Sequence, residues 1–256
     1  MESPRELKLA VLIDADNVPY SNIKGMLEEV AKYGTPTFKR IYGDWTKPTL
    51  SGWKTVLLEN AITPIQQYSY TTGKNSSDSA LIIDAMDILY TGGVDGFCIV
   101  SSDSDFTRLA TRLREAGMKV IGIGEKKTPS PFIASCNKFI YIEILHKESK
   151  YQPHTKTTTK AAIKKDIPLA SVAKIDNDLI QLISDSINDI AEEDGWVFLG
   201  VLGNLILKKQ PDFDPRNYGH KKLLDMIKTI SGIEIDKRPT GKNNISHFYV
   251  RTKSEQ

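Results

Sequence analysis

The sequence predicts an α/β domain built on a parallel sheet flanked by helices, followed by a smaller helical domain with a β-hairpin. Three observations carry this. Short β-branched runs alternate with amphipathic stretches over roughly the first 145 residues. Runs such as Leu9 to Ile13 and Phe97 to Val100 are apolar without interruption, as strands covered on both faces must be. Beyond Asp176 the pattern changes to helices with one apolar face.

Each element follows in order. LKLAVLID predicts the first strand and SNIKGMLEEVAKY the first helix; TFKRIYG and ITPIQQY predict strands around the helix TLSGWKTVLLENA. SDSALIIDAMDILYTG predicts a long helix, GFCIVSS a strand, DFTRLATRLREAG a helix, and MKVIGIG and FIYIEIL two further strands. In the second domain Leu179, Leu182, Ile183, Ile187 and Ile190 fall on one helical face; two more helices and a hairpin at Thr240-Gly241 follow. Residues 1–148 form the first domain, 149–174 a basic linker and 175–253 the second domain. KYQPHTKTTTKAAIKK, with five lysines and no acid, has the composition of a solvated segment that cannot bury a core.

The 256 residues are 26% charged and 40% hydrophobic, which excludes disorder throughout. No apolar run approaches the ~18 residues a membrane helix needs, and charges in MESPRELKLAVLIDADN stand where a secretory signal would be apolar, so no membrane association and a cytoplasmic location are expected. Cys98 and Cys136 have no partners at metal-ligand spacing, which argues against a zinc site. The net charge of +2 conceals opposed regions: seven acids and no Lys or Arg from Asp176 to Asp194, and eleven basic against five acidic residues from Lys208 to Lys253.

In open α/β sheets the functional cleft lies beyond the carboxyl ends of the strands. There the first strand runs into Asp14, Asp16 and Asn17, and GFCIVSS runs into Asp103 and Asp105. Asp78 follows the polar loop TTGKNSS at a helix start. Singly, each is explained by capping, a turn or the helix dipole. Together, three acidic segments on one sheet form a set whose mutual repulsion a hard divalent cation, Mg²⁺ or Mn²⁺, would relieve. Such a site suits phosphodiester chemistry. Asp84 and Asp87 share a helix face and read first as a solvent stripe. VIGIGEKKT lacks the third glycine of a dinucleotide fingerprint. The four histidines, His146, His154, His220 and His247, lie late and scattered and offer no candidate to pair with a nucleophile inside the α/β domain, which weighs against a Ser-His-Asp hydrolase.

AVLIDADN, TGKNSSDSALIIDAMD and VSSDSDFTRLATRLREAGMKVIGIGEKKTP resemble the NYN domain, LabA-like branch, of the PIN-like nuclease superfamily. The resemblance spans roughly Lys8 to Leu145 and implies a metal-dependent ribonuclease leaving 5′-phosphate and 3′-hydroxyl ends. By motif it implies Asp14, Asp78, Asp103 and Asp105 as catalytic metal ligands and Asn17 as their polar companion; Asp16 lies in the same motif. Where relatives have Ser-Gly-Asp-Ser-Asp, this chain has Ser101-Ser102-Asp103-Ser104-Asp105, so a tighter backbone is expected there. The second domain, through DGWVFLGVLGNLI and NYGHKKLLDMI, is similar to LOTUS (OST-HTH) winged-helix modules of RNA-associated proteins. That resemblance implies RNA, single-stranded or structured, as partner, or a protein bound through the LOTUS module. Lys74, Lys208, Lys209, Lys221, Lys222, Arg238 and Lys242 are the expected RNA-binding residues, with a solvated charged face as the alternative; Tyr218 and His220 are candidates for base stacking, and Tyr218 equally for the core. A non-catalytic RNA-binding or scaffold protein with a PIN-like fold is the alternative reading.

Overall fold

The computed structural model describes residues 6–68, 76–145, 172–239 and 246–253. Six parallel strands form the sheet of the first compact unit, Met1–Leu169: β1 (Lys8–Asp14), β2 (Thr35–Gly43), β3 (Thr63–Gln66), β4 (Gly96–Val100), β5 (Lys119–Gly124) and β6 (Lys138–Tyr141). Their order is β3-β2-β1-β4-β5-β6. The order reverses at β1, whose neighbours are β2 and β4. That reversal opens a crevice at the carboxyl ends of β1 and β4.

Strand periodicity divides the core in two. Leu9, Val11 and Ile13 of β1 and Cys98 and Val100 of β4 face one cluster, while Ala10, Leu12, Phe97 and Ile99 face the other. Helices α1 (Ile23–Val30) and α2 (Trp53–Asn60) cover the first side through Ile23, Met26, Val30, Trp53 and Leu57. Helices α3 (Ser76–Thr91), α4 (Thr107–Glu115) and α5 (Ser130–Ser135) cover the second. Burying strands on both faces is what makes their sequences continuously apolar. The run FIYIEIL departs from the expected single strand: β6 ends at Tyr141 and a one-turn helix, α6 (Ile142–Leu145), follows. Ile142, Ile144 and Leu145 all enter the first cluster, which a two-residue alternation does not permit.

The second unit, Ala170–Gln256, contains α7 (Asn177–Ile190), α8 (Leu199–Lys209) and α9 (Leu223–Ile227) with strands β7 (Val197–Phe198), β8 (Ile233–Pro239) and β9 (Ser246–Thr252). Asp176 caps α7 by accepting from the Leu179 amide at 2.9 Å. The antiparallel sheet runs β7-β9-β8. Leu179, Ile183, Ile187, Leu202, Ile206, Met226 and Val250 meet in one core. The expected hairpin turn at Thr240-Gly241 lies outside the described residues.

Candidate active site

Asp14 ends β1 and is almost wholly buried. Its Oδ2 accepts from Asn17 Nδ2 at 2.6 Å and from Ser101 Oγ at 2.9 Å, and its Oδ1 accepts from the Asp16 amide at 3.1 Å. Burial pushes its carboxyl above the usual range, and the donors from Asn17 and Ser101 work against that rise. Ser101, fully buried just past β4, also accepts from the Asp103 amide at 3.1 Å. One hydroxyl thus fastens the acid of β1 to the acidic loop of β4.

Asp103 caps a 3-10 turn at Ser104–Phe106 by accepting from the Asp105 amide at 2.9 Å. The capping role and the cluster coexist, because carboxylate oxygens of Asp78, Asp103 and Asp105 lie within 4.8 Å of one another. Asp78 sits in the first turn of α3 and is 8% exposed. Burial, and after it the charges of Asp14, Asp103, Asp105 and Asp16, push its carboxyl up to about 6. Among the described residues neither Asp78 nor Asp103 has a basic partner. Three oxygen donors held together against their own repulsion are the donor set of a hard divalent cation.

Of the expected acids, Asp78, Asp103 and Asp105 come together, while Asp14 stands outside that trio with its oxygens engaged by Asn17, Ser101 and the Asp16 amide. Ser101 is the site residue that the sequence reading passed over, because a serine at a strand end reads first as a cap. Ser102 accepts from the Glu125 amide at 2.9 Å, tying the loop to the end of β5. Ala61 is the one non-glycine residue with positive φ among those described, so Ser102 stands without the strain expected of a lost glycine. Gly124 supplies the close approach instead: a Cβ there would lie 2.6 Å from the Ser101 carbonyl oxygen. Asp84 accepts from Arg40 and from the buried Tyr42 hydroxyl, so it joins α3 to β2 rather than facing solvent.

In the second unit, Lys208, Lys221 and Lys222 are exposed. Lys209 Nζ contacts Asp189 at 2.6 Å, and Arg238 pairs with Asp236 at 2.9 Å and Asp194 at 3.7 Å. Tyr218 packs against the core, half-buried, with its ring 6.3 Å from that of Phe213. Lys74 and Lys242 lie outside the described residues. No described helix is long and apolar enough to cross a membrane.

A six-stranded parallel sheet with carboxylates converging at its switch point, followed by a small unit of helices and an antiparallel sheet, defines a two-domain protein with an acidic α/β site. The chain belongs to the NYN domain family, whose model matches residues 8–143, and it carries an OST-HTH/LOTUS domain over residues 170–245. NYN domains are PIN-like nuclease folds, and OST-HTH/LOTUS modules are associated with RNA binding. Similar solved structures include the crystal structure of a protein of unknown function from Vibrio parahaemolyticus, 21% identical, covering 56% of this chain and 96% of that one with a TM-score of 0.46. Two solution NMR structures are similar to shorter parts. An uncharacterized protein from Nitrosomonas europaea is 26% identical over 40% of this chain and 95% of its own, TM-score 0.29. A protein segment from Chromobacterium violaceum is 26% identical over 34% and 91%, TM-score 0.27. No curated protein matches the chain.

Proposed function

We propose that the protein is a divalent-metal-dependent ribonuclease that hydrolyses RNA phosphodiester bonds at the NYN site and holds RNA through its OST-HTH/LOTUS domain. The convergence of Asp78, Asp103 and Asp105 carboxylates within 4.8 Å at the switch point carries this reading. These three would hold Mg²⁺ or Mn²⁺, with Asp14 as the acid behind them. Bound there, the cation would lower the pKa of a water and offset negative charge growing on the phosphoryl oxygens.

The protein's own groups prepare the site. Asn17 and Ser101 fix the orientation of Asp14 and keep its oxygens solvated by donors rather than by water. Ser101 also accepts from the Asp103 amide, so one hydroxyl links the β1 acid to the β4 loop. Asp103, capping the turn, draws the Asp105 backbone toward itself and sets the trio's spacing. Burial of Asp78 raises the free energy of its anion, which strengthens its preference for a cation over water.

The test is end-labelled RNA incubated with the protein in Mg²⁺, in Mn²⁺ and in EDTA. The proposal expects products with 5′-phosphate ends in metal and intact RNA in EDTA. Equal cleavage in EDTA, or products ending in 2′,3′-cyclic phosphate, would contradict it.

A further inference from the structure

The second unit's sheet carries more ring surface than its core uses. Val197, Val250, Ile233 and Ile235 turn one face inward. By strand alternation the other face presents Trp196 and Phe198 at β7 and His247 and Tyr249 on β9. None of these four rings belongs to the core. Phe198, paired across the strands with Tyr249, has its ring 5.8 Å from that of Tyr249 and 4.8 Å from that of His247. It is 36% exposed, and His247 is exposed beside it. Gly200 makes room for it, since a Cβ there would lie 2.7 Å from Phe198 Cε1.

Two guanidinium planes complete the surface. Arg238 lies 4.3 Å over the Tyr249 ring and 5.4 Å over Trp196, and Arg251 lies 4.6 Å over Trp196. Acids answer both: Asp236 and Asp194 pair with Arg238, and Glu234 contacts Arg251 at 2.6 Å. The face therefore offers flat π and guanidinium surface without the excess of positive charge that phosphate contacts need. Its complement is a planar, uncharged ligand face. Unpaired nucleobases present that face, and a duplex hides it in its own stack.

We propose that this face, centred on Phe198 and Tyr249, is a stacking platform for unpaired RNA bases, separate from the exposed Lys208, Lys221 and Lys222. The inference rests on the reading of the second domain as the part that holds RNA. It replaces phosphate attraction with stacking as the main source of affinity.

The test measures binding of fluorescein-labelled single-stranded RNA of about twelve nucleotides, within the usual span of such sites, to the full-length protein in EDTA, where metal-dependent cleavage is silent. Phe198→Ala and Tyr249→Ala should each raise Kd about tenfold or more. Tyr249→Phe, which keeps the ring, should bind like wild type, and Phe198→Leu, which keeps apolar bulk without the π-face, should not. Lys221→Ala with Lys222→Ala should raise Kd by less than either ring variant does, and affinity should fall only shallowly with salt. Binding unchanged in the ring variants but lost in the lysine variant overturns the platform while leaving RNA binding intact. Equal affinity for a duplex of the same length also overturns it. Wild type that binds no RNA yet captures a protein dependent on Phe198 overturns both the platform and the RNA-holding role. Cleavage of a short RNA in Mn²⁺, assayed separately, reports on the nuclease reading alone.

Discussion

Asp78 shows how burial raises the proton affinity of one carboxylate. Its folded pKa of about 6 lies above the ordinary 3.8, so the folded state binds its proton more tightly than the unfolded state does. The sign follows: metal-free stability from this group is full below about pH 4 and is lost as pH rises through 6. Asp78→Asn should therefore stabilise the metal-free protein at pH 7, by about 1–2 kcal/mol after solvent screening, read as a higher Tm in EDTA. The same variant should lose the rise in Tm that Mn²⁺ gives wild type; a variant still stabilised by Mn²⁺ to the wild-type extent would remove Asp78 from the metal set. At subsaturating metal, cleavage should fall below pH 6 as protons compete for Asp78, and added metal should restore it. Asp84 obeys a different logic. Asp84→Ala strands the buried Tyr42 hydroxyl and leaves Arg40 unpaired, at a cost of about 1–3 kcal/mol, while Mn²⁺ binding persists.

At the scale of elements, the site is a junction of strand ends held by small groups. Ser101→Ala removes the hydroxyl shared by Asp14 and the Asp103 amide; cleavage should fall about ten- to a hundredfold, and the lost donor to the buried Asp14 should cost about 1–3 kcal/mol of stability and lower Tm as well. Gly124→Ala sets a methyl against the Ser101 carbonyl, and overpacking of about 1–3 kcal/mol should lower Tm by several degrees. The strands and helices were legible because both sheet faces are buried, which leaves unbroken apolar runs, and because acids at strand ends interrupt those runs conspicuously. Ser101 was not legible, since its two partners lie in different segments, 87 positions apart for Asp14. The ring face of the second unit was hidden for a similar reason: Phe198 meets Tyr249 only through the β7-β9 pairing, some fifty positions along the chain. Lys209 contacts Asp189, 20 positions away in the chain, and Tyr218 packs on the core, neither of which composition reveals.

At the scale of the whole molecule, the net charge of +2 is a sum of unlike parts. The first unit concentrates carboxylates at its switch point, and the second balances its arginines with acids on the sheet face. A polyanionic substrate is thus not met by a uniformly basic surface. In our reading a cation comes first at the acidic site of the first unit, and in the second unit base faces replace phosphates as the recognised feature. The most direct measurement of the central claim is the initial rate of cleavage of end-labelled RNA in Mn²⁺ by wild type, Asp103→Asn and Asp87→Asn. The account predicts a loss of at least about a hundredfold for Asp103→Asn and a wild-type rate for Asp87→Asn, whose exposed carboxylate lies outside the trio. Metal-dependent cleavage undiminished in Asp103→Asn would contradict it.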